Sequence, residues 1–309
     1  MQLTLSAAGG LLLGGILAAA PAPGLSPRLS ESGTIYVTAF DRDGRAVTDL
    51  QPGDFAVKIG GDRIDVTRVE PAQMPLRIAV LVADGGTGGF QQALGHFMQK
   101  LLGHAEFSLT SVIVQPELIV DYASEGGPLR DGLLRLGPRG RQHGAQLMEA
   151  IRDAAGTVRS SGRRPAILVL RVGSEATTPL TGKDVREQLQ ASGAVLHVVS
   201  TLGAQRPPAS SARPGISNEQ SQMEDADTAG SILNLAQVLG DGARESGGRH
   251  DQVVSTTLVP ALEHVADELL NQYAITCTLP PGLKPTDKLS VSTTRKGVKL
   301  QAPARLPRP

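Results

Sequence analysis

Residues Arg77–Asp84 read RIAVLVAD, a continuous apolar run that ends on a carboxylate and is followed at once by GGTGG (Gly85–Gly89). Such a run is typical of a strand that is buried on both faces of a parallel sheet. A helix is predicted next, because apolar residues recur at helical spacing from Phe90 to Leu102. Open α/β sheets place their ligand sites where a buried strand passes through a glycine-rich turn into a helix.

The same rhythm continues along the chain. The further strands and helices of this unit are predicted at Phe107–Val114, Glu117–Tyr122, residues 147–158, Ala166–Val172, Lys183–Ala191, Val195–Ser200, Ser231–Leu239, residues 257–271 and Tyr273–Leu279. Strands that alternate with helices indicate an α/β domain with a doubly wound, mostly parallel sheet, here across residues 76–280. Within it, residues 203–230 are rich in Pro, Ser and acids and lack an apolar period, which predicts a mobile surface insertion.

Short strands without helices between them flank this domain. Thr34–Phe40, Asp54–Ile59 and Ile64–Val69 predict a small N-terminal antiparallel β unit across residues 31–75. Two further strands, Leu289–Thr293 and Val298–Gln301, enclose a basic turn and predict a C-terminal β-hairpin. That hairpin and a Pro-rich tail account for residues 281–309.

Composition excludes several classes of function. The net charge of zero argues against nucleic acid as the main partner. The chain has no Trp, three Tyr and five Phe, so aromatic stacking platforms are not expected. Cys277 is the one cysteine, which excludes an intramolecular disulfide and a cysteine-rich zinc site, and its apolar surroundings predict a buried, inert thiol.

Residues 1–24, MQLTLSAAGGLLLGGILAAAPAPG, have the pattern of an export signal. An apolar core at Leu11–Ala20 is followed by small residues suited to cleavage, although no positive charge precedes the core. The segment is also long enough to serve as an uncleaved membrane tether. We therefore expect an exported protein that is periplasmic, secreted or held at the envelope.

The order of several motifs resembles the von Willebrand factor A-related proteins of bacteria. DRDGRAVTDLQPGDFAVKIGGDRIDVTRVE (Asp41–Glu70) is similar to the N-terminal signature of that family, and IAVLVAD is placed as the first strand of its A domain. ESGGRH (Glu245–His250) and ADELLNQYAITCTLP (Ala266–Pro280) resemble its closing helix and strand, and KLSVSTTRKGVKLQAP its basic hairpin. The resemblance implies one export signal, a short β segment and one A domain.

The resemblance also implies where a Mg²⁺ ion would bind, through D-x-S-x-S after the first strand, a threonine loop and a later aspartate. The positions that match these ligands are Asp84, Gly86, Gly88, Ala145 in HGAQLMEAI, and Val172, so only the first retains a side-chain oxygen. Arg171 adds a positive charge, which opposes cation binding. We therefore expect no metal cofactor, and keep Mg²⁺ binding through the substitutes Thr87 and Glu175 as an alternative. Asp84 would instead accept N–H groups of the glycine turn or pair with Arg171.

Other chemistries find little support in the sequence. Gly86 and Gly88 supply two glycines of a dinucleotide fingerprint, but Gln91 stands at the third position and no ribose-binding acid follows the next strand. An enzyme that uses a nucleotide or another anion at the Asp84 turn is a weak alternative. No nucleophile elbow or zinc-binding spacing occurs. His197 is predicted to be a core residue, the other histidines show no obvious acid partner, and Arg163 and Arg164 are predicted to be solvated surface.

The favoured hypothesis is a non-catalytic, exported protein-binding or scaffolding module of A-domain type with a degraded metal site. Its partner is a protein of unknown identity. The predicted partner-facing loops are Asp84–Gly89, Gly140–Ala145 and Gly173–Pro179. The candidate residues in or beside them are Asp84, Gly86, Gly88, Ala145 and Arg171.

Overall fold

The computed structural model describes residues 31–138, 146–160, 162–173, 178–201, 218–284 and 287–306. The predicted export signal at residues 1–24 lies outside this part of the chain. So do Ala145 and Glu175, two residues that the sequence singles out. No helix in the described ranges is both long enough and apolar enough to cross a membrane.

Thirteen strands and seven α-helices make up the described structure. The strands are β1 (Glu31–Phe40), β2 (Phe55–Ile59), β3 (Asp62–Ile64), β4 (Val66–Pro71), β5 (Leu76–Ala83), β6 (Ala105–Val112), β7 (Pro116–Ala123), β8 (Arg164–Val172), β9 (Val195–Thr201), β10 (His250–Val253), β11 (Tyr273–Leu279), β12 (Leu289–Thr293) and β13 (Lys299–Gln301). The helices are α1 (Gln91–Leu101), α2 (Gly126–Arg135), α3 (Leu147–Thr157), α4 (Gly182–Ser192), α5 (Asn218–Gln237), α6 (Ala243–Glu245) and α7 (Leu258–Leu270).

A six-stranded sheet forms the centre of the larger domain, in the order β10-β9-β8-β5-β6-β7. All neighbours are parallel except β7, which runs antiparallel to β6 at one edge. The apolar run that the sequence singles out is β5, which pairs with β6 on one side and β8 on the other. The predicted doubly wound, mostly parallel α/β fold is confirmed.

Helices cover both faces of this sheet, as the continuous apolar strands require. Ile78 and Val80 of β5 belong to the core that includes residues of α1 and α7. Ala79 and Leu81 point to the opposite face and pack with residues of α3 and α4. The alternation of β5 side chains therefore joins two separate cores through one strand.

The small β unit contains strands from both ends of the described chain, which corrects two predictions. The strand Tyr273–Leu279, predicted to close the domain that spans 76–280, is β11 and pairs with β1 and β4 outside the large sheet. The predicted C-terminal hairpin is also wrong. β12 pairs with β2 and β13 pairs with β1, because each edge strand of the β unit offers unpaired main-chain groups.

The predicted insertion at 203–230 is corrected in its second half. Helix α5 begins at Asn218, thirteen residues before the predicted helix at Ser231, so 218–230 is helical and not loop. Residues 202–217 lie outside the described ranges.

Candidate functional site

Asp84 lies at the carboxyl end of β5, where the glycine turn begins. Its Oδ1 accepts the N–H of Gly86 at 2.9 Å and its Oδ2 accepts the N–H of Gly88 at 2.6 Å. The turn needs glycine, since Gly85, Gly86 and Gly88 all have φ between 64° and 79°. Asp84 is therefore a buried residue, 5% exposed, whose two oxygens both bind the main chain of its own turn.

Thr87 lies at the exposed tip of this turn. Its Oγ1 lies 3.1 Å from the carbonyl oxygen of Asp84 and 3.4 Å from Asp84 Oδ2. The hydroxyl thus donates to the same residue that the two glycines hold. Hydrogen bonds within the turn therefore occupy the two carboxylate oxygens of Asp84. They also occupy two of the N–H groups that an anion at the helix N-terminus would need.

Arg171 is on β8, next to Ala83 of β5 and Ser200 of β9. Its side chain is 8% exposed, and burial lowers the pKa of its guanidinium to about 10. The Asp84–Arg171 ion pair considered from the sequence does not form, and no acid in the described ranges pairs with Arg171. A desolvated cation with no counter-ion among the described residues therefore lies beside Asp84, at the carboxyl end of the parallel strands.

Two further polar residues meet near this edge, and sequence reasoning missed their pairing. Ser200 Oγ, at the end of β9, lies 2.7 Å from Nε2 of His250 in β10. Burial and the charge of Arg171 lower the pKa of His250, so its imidazole is neutral at pH 7. No sequence pattern indicates this contact, because the two residues are fifty positions apart in the chain.

The Ser200–His250 pair lacks the third member of a hydrolase triad. Asp251, the next residue in the chain, pairs with Nε of Arg249 through its Oδ2 at 2.8 Å. Within the described ranges no carboxylate is hydrogen-bonded to His250, and Ser200 is only 6% exposed. The pair joins β9 to the edge strand β10 and presents no accessible nucleophile.

The oxygens at this edge are few compared with what Mg²⁺ requires. A magnesium shell is near-octahedral, with oxygen ligands at about 2.0–2.1 Å. Gly86, Gly88 and Val172 contribute no side-chain oxygen, and both oxygens of Asp84 already accept hydrogen bonds. No group of three or more His, Cys, Asp or Glu residues suited to a metal ion occurs among the described residues.

Comparison with known proteins gives likeness of fold only. No family profile matches the sequence, and no curated protein matches it. A von Willebrand factor type A protein from Catenulispora acidiphila is 10% identical with a TM-score of 0.44, over 85% of this chain and 75% of that one. The conserved hypothetical protein BatB from Bacteroides thetaiotaomicron is 12% identical with a TM-score of 0.41, over 62% and 95%. The pilus adhesin SpaC from Lactobacillus rhamnosus GG is 9% identical with a TM-score of 0.45, over 82% and 48%.

TM-scores below 0.5 carry no argument about function, so the assignment rests on the strand pairing itself. The mostly parallel sheet and the glycine turn after its central strand agree with the architecture predicted from the sequence. The described residues therefore form a doubly wound α/β domain with a mostly parallel six-stranded sheet, and an additional β unit built from strands at both of their ends.

Proposed function

We propose that this chain is a non-catalytic, exported protein-binding module that engages its partner without a bridging metal ion. The observation that carries the proposal is the shortage of oxygens around Asp84, whose two carboxylate oxygens already accept the N–H groups of Gly86 and Gly88. A metal-bridged partner would need several further oxygens beside them, because Mg²⁺ requires a near-octahedral shell. The glycine turn supplies one further side-chain oxygen, Oγ1 of Thr87.

The charge at the same edge supports this proposal. Arg171 is positive, buried and without an acid partner in the described ranges, so a divalent cation nearby would meet like charge. Recognition then depends on the shape of the exposed residues at the loop tips. Thr87 and Gly89 of the glycine turn are exposed, as are Gly173 and Pro179 at the described ends of the predicted loop Gly173–Pro179. The predicted loop Gly140–Ala145 lies outside the described residues.

Isothermal titration calorimetry with Mg²⁺ and with Mn²⁺ tests the absence of a metal. We expect no binding at micromolar affinity to the full chain. Asp84→Ala is the matched variant, because a heat of binding that this substitution abolishes would establish metal-dependent adhesion through Asp84, with Thr87 and Glu175 as the substitute ligands. That result would overturn the proposal.

Affinity capture from an envelope fraction, with and without a chelator, tests the binding role. We expect one retained protein whose recovery is insensitive to the chelator and is reduced by Thr87→Arg at the tip of the turn. Thr294→Arg, at an exposed position after β12 in the β unit, is the control and should retain the partner. Equal recovery with both variants would argue against recognition by the loops of this edge.

A further inference from the structure

A cleft lies between the large domain and the β unit. It is at the amino ends of the parallel strands, whereas Asp84 is at their carboxyl ends. It consists of two adjoining cavities of about 180 and 260 Å³ that share Gln190, Glu245, Ser246 and Arg305 in their walls. The first residues of β8 and β9 line it on one side, and Thr34–Tyr36 of β1 on the other. We call these two cavities together the junction cleft.

The junction cleft is strongly basic although the whole chain has zero net charge. The basic residues in its walls are Arg159, Arg163, Arg164, Arg186, Lys288 and Arg305. Among the described lining residues, Glu245 is the single acid, and its Oε2 accepts a hydrogen bond from Nε of Arg186 at 3.1 Å. The positive charge of the walls is therefore largely uncompensated.

Arg164 is the buried member of this set, with 4% of its surface exposed, which corrects the prediction that it is solvated. Its Nε donates to the carbonyl of Met74 at 2.7 Å. Its Nη1 donates to the carbonyl of Leu269 at 3.0 Å and to Oε1 of Gln272 at 2.6 Å. All three acceptors are neutral, so they hold the guanidinium in place without cancelling its charge.

The flanking arginines are only partly neutralised. Arg163 Nη2 lies 3.2 Å from Oε2 of Glu106, but that carboxylate also pairs with Arg77. Arg305 Nη1 donates to the neutral Oε1 of Gln190 at 3.3 Å. Arg159 is exposed, and no described acid pairs with it. A ligand with negative charge would complete these interactions.

We propose that the junction cleft binds a small organic anion that carries two or more carboxylate or phosphate groups. Planar guanidinium groups match carboxylate and phosphate oxygens in pairs, and Arg164 is already held in position, so little side-chain entropy is lost on binding. The two cavities are of a size for a small molecule and lie side by side, which suits a ligand with separated charges. This site is independent of the sheet edge at Asp84.

The same arginines have a second structural role that the experiment must separate from ligand binding. The C-terminal ends of α3 and α4 lie near this cleft, and positive side chains stabilise such ends through the helix dipole. A purely structural role predicts that substitution lowers stability and that no anion binds. Ligand binding predicts saturable stabilisation by anions.

Calorimetry and thermal unfolding with citrate and with pyrophosphate test the proposal, each against NaCl at matched ionic strength. We expect saturable binding of at least one of them and a rise in Tm beyond the salt control. Because it removes two charged hydrogen-bond donors from the cleft walls, the double variant Arg159→Gln/Arg305→Gln should weaken the affinity at least about tenfold. Both residues are exposed, so this variant should fold.

Arg130→Gln is the matched control, since Arg130 is 77% exposed on α2, away from the cleft walls. Its affinity for the anion should equal that of the unchanged protein. Binding of citrate alone or of pyrophosphate alone supports the proposal and identifies the preferred group. The proposal is overturned if neither anion binds beyond the salt control, or if the double variant binds as tightly as the control.

Discussion

Oε1 of Glu268 lies 2.7 Å from Nη1 of Arg249 in the interior of the protein, and 3.2 Å from Nε2 of His264. Glu268 is 1% exposed, and its Oε2 is 3.5 Å from Nδ1 of His197. Burial raises the pKa of Glu268 to about 7, because the attraction of Arg249 does not offset the loss of hydration and Asp251 repels the charge. The cluster connects α7 to strands β9 and β10.

Substitution Glu268→Gln should change how stability depends on pH. The folded-state pKa of about 7 lies above the ordinary value of 4.5, so the folded protein retains a proton that the unfolded chain releases. Stability conferred by this proton is present below pH 4.5 and is lost as the pH rises toward 7. Relative to Glu268→Gln, the unchanged protein should therefore lose at most about 3 kcal/mol over that interval.

Urea unfolding between pH 4 and 8 measures this difference. His197, whose pKa burial lowers to about 3, contributes a slope of opposite sign at pH 3–6.5 in both proteins. The comparison therefore uses the difference between the two profiles above pH 6.5, where His197 is neutral in the folded and the unfolded state. Glu263→Gln, an exposed position on the same helix, is the control. Parallel stability profiles for the unchanged protein and Glu268→Gln would contradict the assignment.

Arg171→Met should raise the pKa of His250 toward its ordinary value. Burial is the larger cause of the lowered pKa of His250, and the positive charge of Arg171 is the next. Removal of that charge leaves only the burial effect, opposed by Asp251. An NMR titration of the imidazole measures the change, with Arg244→Met at a 77% exposed position as the control. An unchanged pKa in Arg171→Met would show that the two side chains do not interact.

Tyr273→Phe should destabilise the β unit by about 1–3 kcal/mol, because it leaves a buried N–H without an acceptor. The hydroxyl of Tyr273 accepts the N–H of Leu50 at 3.0 Å and donates to the carbonyl of Val47 at 2.9 Å. Tyr122→Phe is the control, since the buried hydroxyl of Tyr122 has no hydrogen-bond partner in the described ranges. Chemical denaturation should find that control neutral or more stable, and equal losses for both variants would refute the prediction.

Gly132→Ala should destabilise the packing of α2 against β7. An added Cβ would clash with Cγ2 of Val120, and overpacking of this kind costs about 1–3 kcal/mol. Gly127→Ala in the same helix meets nothing within 4 Å and should gain up to about 1 kcal/mol of helix propensity. The two midpoints of thermal unfolding should therefore move in opposite directions. A gain of stability in both variants would show that α2 does not pack tightly against β7 at Gly132, and would contradict the prediction.

The spacing of apolar residues was sufficient to predict the strands and helices in which that spacing is regular. The buried strands β5, β8 and β9 and helices α1, α3 and α4 were predicted close to their observed bounds. Pattern failed for β10, which has four mostly polar residues, and for α2, which begins with Gly-Gly-Pro. Neither segment carries the apolar period from which an element is recognised.

Pairings between distant residues lay beyond sequence reasoning. The sequence predicts no acid partner for His264, yet this residue contacts Glu268 one turn along α7. A spacing of four residues along a helix does not reveal that the carboxylate is buried, and burial is what makes this contact important. Arg164 was expected at the surface, but the β unit covers it. In each case a neighbouring element, and not the residue's own segment, sets the exposure.

The sequence by itself determined the α/β architecture, the position of the glycine turn after β5 and the loss of side-chain oxygens at Gly86, Gly88 and Val172. These properties follow from residue type and short-range periodicity, which act within a few residues along the chain. Tertiary structure alone decided that β11 joins the β unit, that Asp84 does not pair with Arg171, and that arginines from separate elements line one cleft. Hydration and charge depend on which surfaces meet in space, and chain order does not specify that.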